Sequence, residues 1–371
     1  MRLKRLALPL FIAQLHLFSS GHAQSVSDGP YLFHKSTGEV EAIWVTNGER
    51  ETRTFAKGTP IELAQFENLI GKSLKLAPHQ PSAGVHPAPD KFLAITDVEG
   101  EFAPLFRFLV ANGVIDESGH WTFGTGHLVT IGDFVDRGDE VTEVLWLMYR
   151  LSREAELAGG FVHFLLGNHE AMILGGDTRY VADKYDAVCK VLDIPYEALF
   201  GTNTELGKWL RTRNSVVALG DVVFVHAGIS PQLPIKRDTI DVINRQIRSG
   251  LGIRKAELRK QDKRSADLIW GRSGPLWYRG YFARAGFGPR PVPKEIDLLL
   301  EGLQARMIVI GHTQVDRPCF LYPPTKVLAL DVSWTKPDSV RGLRAVANVM
   351  TLVDIEGQLH DLVRQPQIGS Y

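Results

Sequence analysis

Short apolar runs, each followed at once by a polar motif, recur along the central part of this 371-residue chain. Five such runs are interpreted as strands, at residues 92–96, 127–131, 161–166, 222–225 and 307–310. The stretches 102–110 and 141–151 have apolar residues at helical spacing, and Gly159-Gly160 ends the second of these helices. Two more strands are predicted without such a motif, at residues 327–330 and 345–353. Strands that alternate with helices predict an α/β layered domain.

The motifs that follow the five strands contain the residue types of a metal centre. They read Thr96-Asp97-Val98-Glu99-Gly100, Gly132-Asp133-Phe134-Val135-Asp136-Arg137-Gly138, Gly167-Asn168-His169-Glu170, Val225-His226-Ala227-Gly228 and Gly311-His312-Thr313. In an α/β sheet, loops at the carboxyl ends of the strands converge on one crevice. Carboxylate, amide and imidazole ligands together suit divalent first-row metals. A pair of such ions about 4 Å apart can activate water and clamp the oxygens of a phosphoryl group.

In their order, these five motifs resemble those of the calcineurin-like metallophosphoesterase superfamily, over residues 92–331. The resemblance is closest to the phosphoprotein phosphatase branch, and the layout is similar to that of the Shewanella-like bacterial phosphatases. It implies a four-layer αββα sandwich and a metal-dependent phosphoric ester hydrolase. The implied reaction is hydrolysis of phosphomonoesters by attack of a metal-bridging hydroxide, with phosphoproteins (Ser/Thr or Tyr) as candidate substrates.

The resemblance also implies a role for each motif residue. The implied metal ligands are Asp97 and Glu99 at the first metal, Asp133 bridging both metals, and Asn168, His226 and His312 at the second. His169 would be the general acid that protonates the leaving oxygen, and Asp136 would orient His169 and support its charged form. Arg137 would hold phosphate oxygens through its planar guanidinium group.

The first motif departs from the family pattern. Glu99 stands where the family has a ligating histidine, and Thr96 replaces the first glycine. Three interpretations stay open: Glu99 ligates the first metal directly, which we favour, or it reaches the metal through a water, or the first site is weak or empty. An added carboxylate favours a harder ion than Zn²⁺. We therefore expect two divalent metal ions (Mn, Fe or Zn), with Mn favoured.

A second departure concerns a further phosphate-contacting arginine that the family carries before its final histidine. Arg279 is the candidate for this role and Arg272 is the runner-up. The aromatic side chains around them are Trp270, Trp277, Tyr278 and Tyr281. These either pack in the core, as aromatic clusters usually do, or line a pocket for an aromatic leaving group such as that of phosphotyrosine.

Composition excludes some classes of protein. The chain has 42 Lys and Arg against 42 Asp and Glu, which argues against a nucleic-acid-binding protein with a broad basic face. Its two cysteines, Cys189 and Cys319, can form at most one disulfide, which the sequence allows but does not indicate. The charge-rich stretch 254–264 is interpreted as a solvated helix face. The sequence leaves the oligomeric state open.

The N-terminus has the pattern of a secretory signal peptide. Arg2, Lys4 and Arg5 precede the apolar run 6–18, and small residues lead to a cleavage site after Ala23. The run is shorter than the roughly 20 apolar residues of a membrane span. We therefore expect a secreted or periplasmic protein without stable membrane insertion, and removal of the leader would leave a net charge of −3.

The domain organisation follows from these features. Residues 1–23 are the expected signal peptide and residues 91–371 the catalytic domain. Between them, residues 24–90 are expected to form a β-hairpin extension, with a turn at Asn47-Gly48, and a proline-rich linker.

Two alternative functions stay open at this point. A phosphodiesterase or dinucleotide-polyphosphate hydrolase on the same fold would carry the same Asp-Arg-Gly and Gly-Asn-His-Glu motifs. A non-catalytic metal-binding module is supported only by the altered first motif. The presence of Asp136, Arg137 and His169 argues against that module, because metal binding alone would not require them.

Overall fold

The computed structural model describes residues 25–283, 286–287, 289–322 and 324–362, so the expected leader at residues 1–23 lies outside the described residues. The strands are β1 (Asp28–His34), β2 (Val40–Thr46), β3 (Glu49–Phe55), β4 (Val85–His86), β5 (Lys91–Ile95), β6 (His127–Ile131), β7 (Phe161–Leu165), β8 (Val216–Leu219), β9 (Val222–Val225), β10 (Met307–Ile310), β11 (Cys319–Tyr322), β12 (Val327–Ala329), β13 (Arg341–Val346), β14 (Val349–Asp354) and β15 (Leu359–His360). The α-helices are α1 (Glu67–Ile70), α2 (Phe102–Ala111), α3 (Val141–Leu157), α4 (Asn168–Leu174), α5 (Asp183–Leu192), α6 (Tyr196–Leu199), α7 (Glu205–Leu210), α8 (Ile240–Gly250), α9 (Lys255–Gln261), α10 (Lys263–Trp270) and α11 (Pro293–Leu303). Short 3₁₀ helices lie at Ala64–Phe66, Arg237–Thr239, Gly280–Phe282 and Pro337–Ser339.

Two six-stranded sheets form the centre of the molecule. One has the strand order β15-β14-β13-β5-β6-β7, in which β5, β6 and β7 are parallel. The other has the order β11-β12-β10-β9-β8-β4, in which β12, β10 and β9 are parallel. These parallel strands lie at or within a residue or two of the positions that the apolar runs predicted. Their carboxyl ends carry the polar motifs.

The two sheets pack face to face and helices cover their outer faces. Phe92 and Val129 of one sheet share a buried cluster with Phe224 and Val309 of the other. The rings of Phe92 and Phe224 meet edge to face, with their centroids 5.4 Å apart. On the outside, α3 packs on β7 and α8 packs on β8. The result is a four-layer αββα sandwich, as the family resemblance implied.

Three local expectations need correction. The single strand predicted at residues 345–353 is a hairpin of β13 and β14, because Ala347 and Asn348 adopt positive φ angles and turn the chain. The charge-rich stretch 254–264 contains the whole of α9 and the first two residues of α10 rather than one helix, because Asp262 caps α10 by accepting a hydrogen bond from the Ser265 N–H. The proline-rich segment is not only a linker, since its strand β4 pairs with β8 at the edge of a sheet.

The N-terminal extension is a three-stranded antiparallel sheet, β1-β2-β3, with Asn47 and Gly48 at positive φ in the turn between β2 and β3. A hairpin or meander was expected here. Among the described residues, no helix is long and apolar enough to cross a membrane. Cys189 in α5 and Cys319 in β11 are both free thiols.

A buried carboxylate fastens this extension to the catalytic domain. Glu205, at the start of α7, is 1% exposed. Its carboxylate oxygens lie 2.6 Å from His34 Nε2 and 2.8 Å from His79 Nε2, and one accepts a 2.6 Å hydrogen bond from Tyr149 Oη. Burial alone would raise the pKa of Glu205, but these hydrogen bonds outweigh it and lower the pKa to about 2.

We predict that Glu205→Gln lowers the free energy of unfolding by about 3 kcal/mol at pH 7, since a lowered pKa measures preferential stabilisation of the ionised group in the fold. A group whose folded pKa is depressed stabilises the fold above its unfolded pKa and ceases to do so as the pH falls through the folded value. The difference from wild type should therefore shrink as the pH falls from 4.5 towards 2. Urea unfolding across this range measures it.

The matched control for this prediction is Glu301→Gln, which changes the same charge on the exposed side of α11. Its effect should stay within about 0.5 kcal/mol. A Glu205→Gln protein as stable as this control at pH 7 would contradict the proposed anchoring role.

Candidate active site

The loops that follow β5, β6, β7, β9 and β10 open into one cleft of 520 Å³. The predicted residues that line this cleft are Asp97, Glu99, Asp133, Arg137, His169, Arg279 and His312. Asn168 and His226 are fully buried just beneath, and Asp136 lies behind His169. The fold therefore brings together all ten side chains that the sequence singled out.

Asp133 lies at the centre of the ligand groups. Two groups of side chains each place their ligand atoms within 4.8 Å of one another. One group is Asp133, Glu99 and His169, and the other is Asp133, His226 and His312. Asp133 belongs to both groups, which is the arrangement expected of a carboxylate that bridges two ions. Its Oδ1 also accepts a 2.9 Å hydrogen bond from the His169 backbone N–H.

The histidine contacts test whether these residues fit a cation. His226 Nδ1 lies 2.8 Å from the carbonyl oxygen of Ile131, an outer contact that leaves Nε2 directed at the site. Nε2 lies 2.9 Å from Asn168 Oδ1, 3.1 Å from Asp133 Oδ2 and 3.2 Å from His312 Nδ1. Four ligand-type atoms therefore face one another at close range, and a bound cation would satisfy them together.

The pKa shifts of the site also indicate that these residues fit a cation. Burial raises the pKa of Asp133, but the neighbouring His226 and His169 outweigh burial and lower it. Burial lowers the pKa of His226, yet the Asp133 carboxylate raises it to about 9. A proton on His226 thus balances the buried carboxylate, and a metal ion would replace that proton.

Asp97 is held between two strand ends. Its carboxylate accepts the His312 backbone N–H at 3.0 and 3.1 Å and a short hydrogen bond from the Thr96 hydroxyl. Burial raises the pKa of Asp97 to about 6, with His226 acting in the opposite direction. Thr96, which departs from the family pattern, therefore orients the neighbouring carboxylate.

His169 and Asp136 form a buried pair at the start of α4. His169 Nδ1 lies 2.7 Å from Asp136 Oδ2, and Asp136 is fully buried. Burial lowers the pKa of His169, but the Asp133 charge and the Asp136 hydrogen bond outweigh it, so the pKa is raised. Because Nδ1 is engaged, Nε2 is the ring nitrogen that can exchange a proton within the cleft.

The two predicted substrate arginines stand at different edges of the cleft. Arg137 forms an ion pair with Glu99 and has a half-exposed side chain. Arg279 donates a 2.9 Å hydrogen bond to Thr313 Oγ1 and lies 3.5 Å from His312 Nδ1. Arg272, the runner-up, instead donates to the carbonyl oxygen of Gly286 and does not line the cleft.

None of the four aromatic residues that the sequence offered as a leaving-group pocket lines the cleft itself. Tyr281 is fully buried and donates a 2.6 Å hydrogen bond to the Ile229 carbonyl oxygen, and Tyr278 packs against it edge to face. Of the described aromatic residues, Trp334 lines the cleft. Tyr180 packs beside it on the His169 ring, with the ring centroids 5.2 Å apart.

Two functional carboxylates were not found from the sequence. Glu170 accepts the backbone N–H groups of Gly167, Asp133 and Phe134 at 2.6, 3.0 and 2.7 Å, so it ties two motif loops together. The Glu in Gly-Asn-His-Glu was a signal for it. Asp331 follows β12, lines the cleft and is buried. Burial and the charge of Asp97 raise its pKa. Its position at a strand end was the available signal.

Two ligand groups share the carboxylate of Asp133, and His169 and two arginines line the same cleft. This arrangement is typical of metal-dependent phosphoric ester hydrolases. Comparison with known proteins agrees. Residues 90–316 match the family model of the calcineurin-like phosphoesterases. The chain belongs to this family.

The similar proteins include phosphatases and symmetrical bis(5'-nucleosyl)-tetraphosphatases, such as that of Neisseria meningitidis, which is 27% identical over 52% of this chain and 61% of its own length. The crystal structure of a cold-active protein-tyrosine phosphatase from a psychrophilic Shewanella species aligns with a TM-score of 0.80 and 34% identity, covering 91% of this chain and 99% of that chain. Shewanella-like protein phosphatase 2 of Arabidopsis thaliana is 32% identical over 38% of this chain and 47% of its own length. Shewanella-like protein phosphatase 1 of Plasmodium berghei is 26% identical over 60% and 61%, respectively. The chain thus spans about half to three fifths of the length of these two curated relatives.

We predict that Glu99→Gln reduces the metal content of the dialysed protein from two equivalents towards one. The amide keeps the size of the side chain but removes the charge that lies within ligand distance of Asp133 and His169. Plasma mass spectrometry of the dialysed protein measures the content.

Glu101→Gln is the control, because Glu101 lines the same cleft outside both ligand groups. It should keep both equivalents. If Glu99→Gln also kept its metals and its full turnover, direct ligation by Glu99 would be wrong.

Proposed function

We propose that this chain is a phosphoprotein phosphatase that hydrolyses phosphomonoesters, and that phosphotyrosine is among its substrates. The observation that carries the proposal is the buried Asp136–His169 pair, which stands beside a shared-carboxylate ligand centre and faces the same cleft as Arg137 and Arg279. Similarity to a protein-tyrosine phosphatase over nearly the whole chain supports the choice of phosphotyrosine.

Different residues of the site would bind the metal ions and the phosphate group. The implied ligands are Asp97, Glu99, Asp133, Asn168, His226 and His312. A pair of divalent ions held there would supply a water activated for attack and neutralise phosphate charge. Arg137 and Arg279, at separate edges of the cleft, would orient the phosphate oxygens through their planar donor groups.

His169 would deliver the proton that the departing oxygen needs. Asp136 fixes the ring through Nδ1, so that Nε2 faces the cleft, and the neighbouring carboxylates raise the pKa of His169, which favours the protonated form that an acid needs. The distance of 3.8 Å from Nε2 to the Asp133 carboxylate supports this role, since the acid would then stand beside the ligand centre.

We predict that His169→Asn lowers the kcat for phenyl phosphate by about 10²–10⁴-fold, the usual contribution of a positioned acid. The loss should be smaller for p-nitrophenyl phosphate, because its leaving group departs without full protonation. Steady-state rates for the two esters, with metal content measured in parallel, make the comparison.

His120→Asn is the control, since His120 is exposed and pairs with Glu154 away from the cleft. It should retain both rates. An unchanged rate of His169→Asn towards phenyl phosphate would remove His169 from the role of acid.

We predict that the metal-loaded protein hydrolyses phosphotyrosine peptides and p-nitrophenyl phosphate far faster than bis(p-nitrophenyl) phosphate or a dinucleoside tetraphosphate. Two arginines and two cations match the dianionic end of a monoester better than a monoanionic diester. Phosphate release from the two monoesters, p-nitrophenol absorbance for the diester and chromatography of the nucleotide products measure the four rates. Faster cleavage of either bis-substituted substrate would favour the alternative hydrolase function.

We further propose Mn²⁺ as the preferred ion and export as the fate of the chain. The carboxylate of Glu99 in place of a histidine supports Mn²⁺ over Zn²⁺, and restoring the chelated protein with each ion in turn compares them. The basic and apolar pattern of residues 1–23 supports export. Mass spectrometry of the mature protein should then find Gln24 as its first residue.

A further inference from the structure

A second cavity, of 300 Å³, lies beside the catalytic cleft and has no part in the proposed mechanism. Aromatic and basic side chains line most of it. The lining residues are Gly175, Asp177, Arg179, Lys255, Trp270, Arg272, Trp277 and Phe287. The combination of flat apolar walls and several cations is unlike the acidic lining of the cleft itself.

Two aromatic residues connect this basic cavity to the catalytic cleft. Trp277 lines the cavity, and its ring meets the His312 ring edge to face with the centroids 5.9 Å apart. Arg179 also lines the cavity, and its Cζ lies 5.8 Å from the centroid of the Tyr180 ring. The Tyr180 ring in turn packs on the His169 ring. A ligand in the cavity and a phosphate in the cleft would therefore be near neighbours.

The cations of the basic cavity are incompletely balanced. Arg179 is paired with Asp177. Within the described parts of the chain, neither Lys255 nor Arg272 forms an ion pair with a carboxylate, and one nitrogen of Arg272 donates to the Gly286 carbonyl oxygen at 3.0 Å. The remaining guanidinium donors of Arg272 are suited to a carboxylate.

The basic excess continues beyond the cavity. Residues 254–264 contain six basic and two acidic residues, in a chain whose total charges are even. Lys255, at the start of α9, joins this stretch to the cavity. An anionic ligand that entered the cavity would therefore meet further positive charge along α9.

We propose that the basic cavity is a subsite for acidic side chains that flank the phosphorylated residue of a peptide substrate. Lys255 and Arg272 bind the flanking carboxylates, while Trp270 and Trp277 hold the aliphatic part of the peptide. The proposal rests on the proposed phosphatase function. A polypeptide is favoured over a nucleotide as the ligand, because the basic residues continue from the cavity along α9 and an extended chain could contact several of them.

The spacing limits which residues of the peptide can reach the subsite. An extended chain covers about 3.3–3.6 Å per residue. Since the Trp277 ring lies between the cavity and the His312 ring, the acidic residues would stand about two or three positions from the phosphorylated one. Exposed ion pairs contribute modestly, so the two cations should shift the preference by about fivefold to tenfold.

The test uses the full metal-loaded enzyme and three phosphotyrosine peptides that carry Asp, Asn or Lys at the second and third positions on both sides. The double variant Lys255→Gln, Arg272→Gln is compared with Lys72→Gln, Lys75→Gln, which removes equal charge from exposed positions outside both the cavity and the basic stretch 254–264. Each kcat/KM is divided by the value of the same protein for p-nitrophenyl phosphate.

For wild type and the control, the relative kcat/KM should be about tenfold higher for the Asp peptide than for the Lys peptide, because KM is lower. The cavity variant should lose most of this difference. Anisotropy of a labelled Asp peptide should show the same weakened binding without turnover. Equal rates for all three peptides in wild type, or an unchanged preference in the cavity variant, would overturn the subsite. Failure to hydrolyse p-nitrophenyl phosphate would instead overturn the phosphatase function, while the binding measurement would still judge the subsite.

Discussion

The site depends on a backbone conformation that ordinary residues avoid. Six of its residues have φ angles of 50–70°, and these are Asp97, Glu99, Asp133, Asp136, Arg137 and His312. Each left-handed residue costs about 1–2 kcal/mol. Hydrogen bonds between the loops offset this strain, among them Asp97 N–H to Gly132 O at 3.0 Å and Glu99 N–H to Asp133 O at 3.0 Å. The two sheets supply these partners, because each loop leaves a parallel strand at the same edge.

The close approach of the loops also limits which residues can occupy them. A Cβ at Gly167 would lie 2.1 Å from Asp133 Oδ1, and one at Gly132 would lie 2.5 Å from the Gly167 nitrogen. Glycine is therefore required where the second and third motifs pass each other. Glu170 then joins the same two loops through three backbone hydrogen bonds. Backbone sterics and a single carboxylate thus hold Asp133 where both ligand groups can share it.

Local signals predicted the strands, the motifs and the set of residues that meet at the cleft, because a strand and the polar residues after it are adjacent in sequence. Contacts between distant segments were not predictable in this way. Glu205 holds His34 and His79, which lie more than 100 residues away in the sequence. Asp331 reaches the cleft only because β12 pairs with β10. The aromatic residues offered as a leaving-group pocket separate in space: Tyr278 and Tyr281 pack against the His-Ala-Gly loop, as aromatic residues in a core do, while Trp270 and Trp277 line the neighbouring cavity.

The replacement of a family histidine by Glu99 affects the phosphate end of the site as well as the metal end. Arg137 forms its ion pair with Glu99, and only about half of its side chain is exposed. A guanidinium has five donors in a rigid fork, so one edge can hold Glu99 while another faces a phosphate. The carboxylate therefore holds the arginine in place, which would reduce the entropy lost on substrate binding if Arg137 contacts phosphate as proposed. It also weakens the positive field of Arg137, since the pair is nearly neutral. In the proposed function, substrate attraction would then depend more heavily on Arg279 and on divalent ions held by the buried carboxylates.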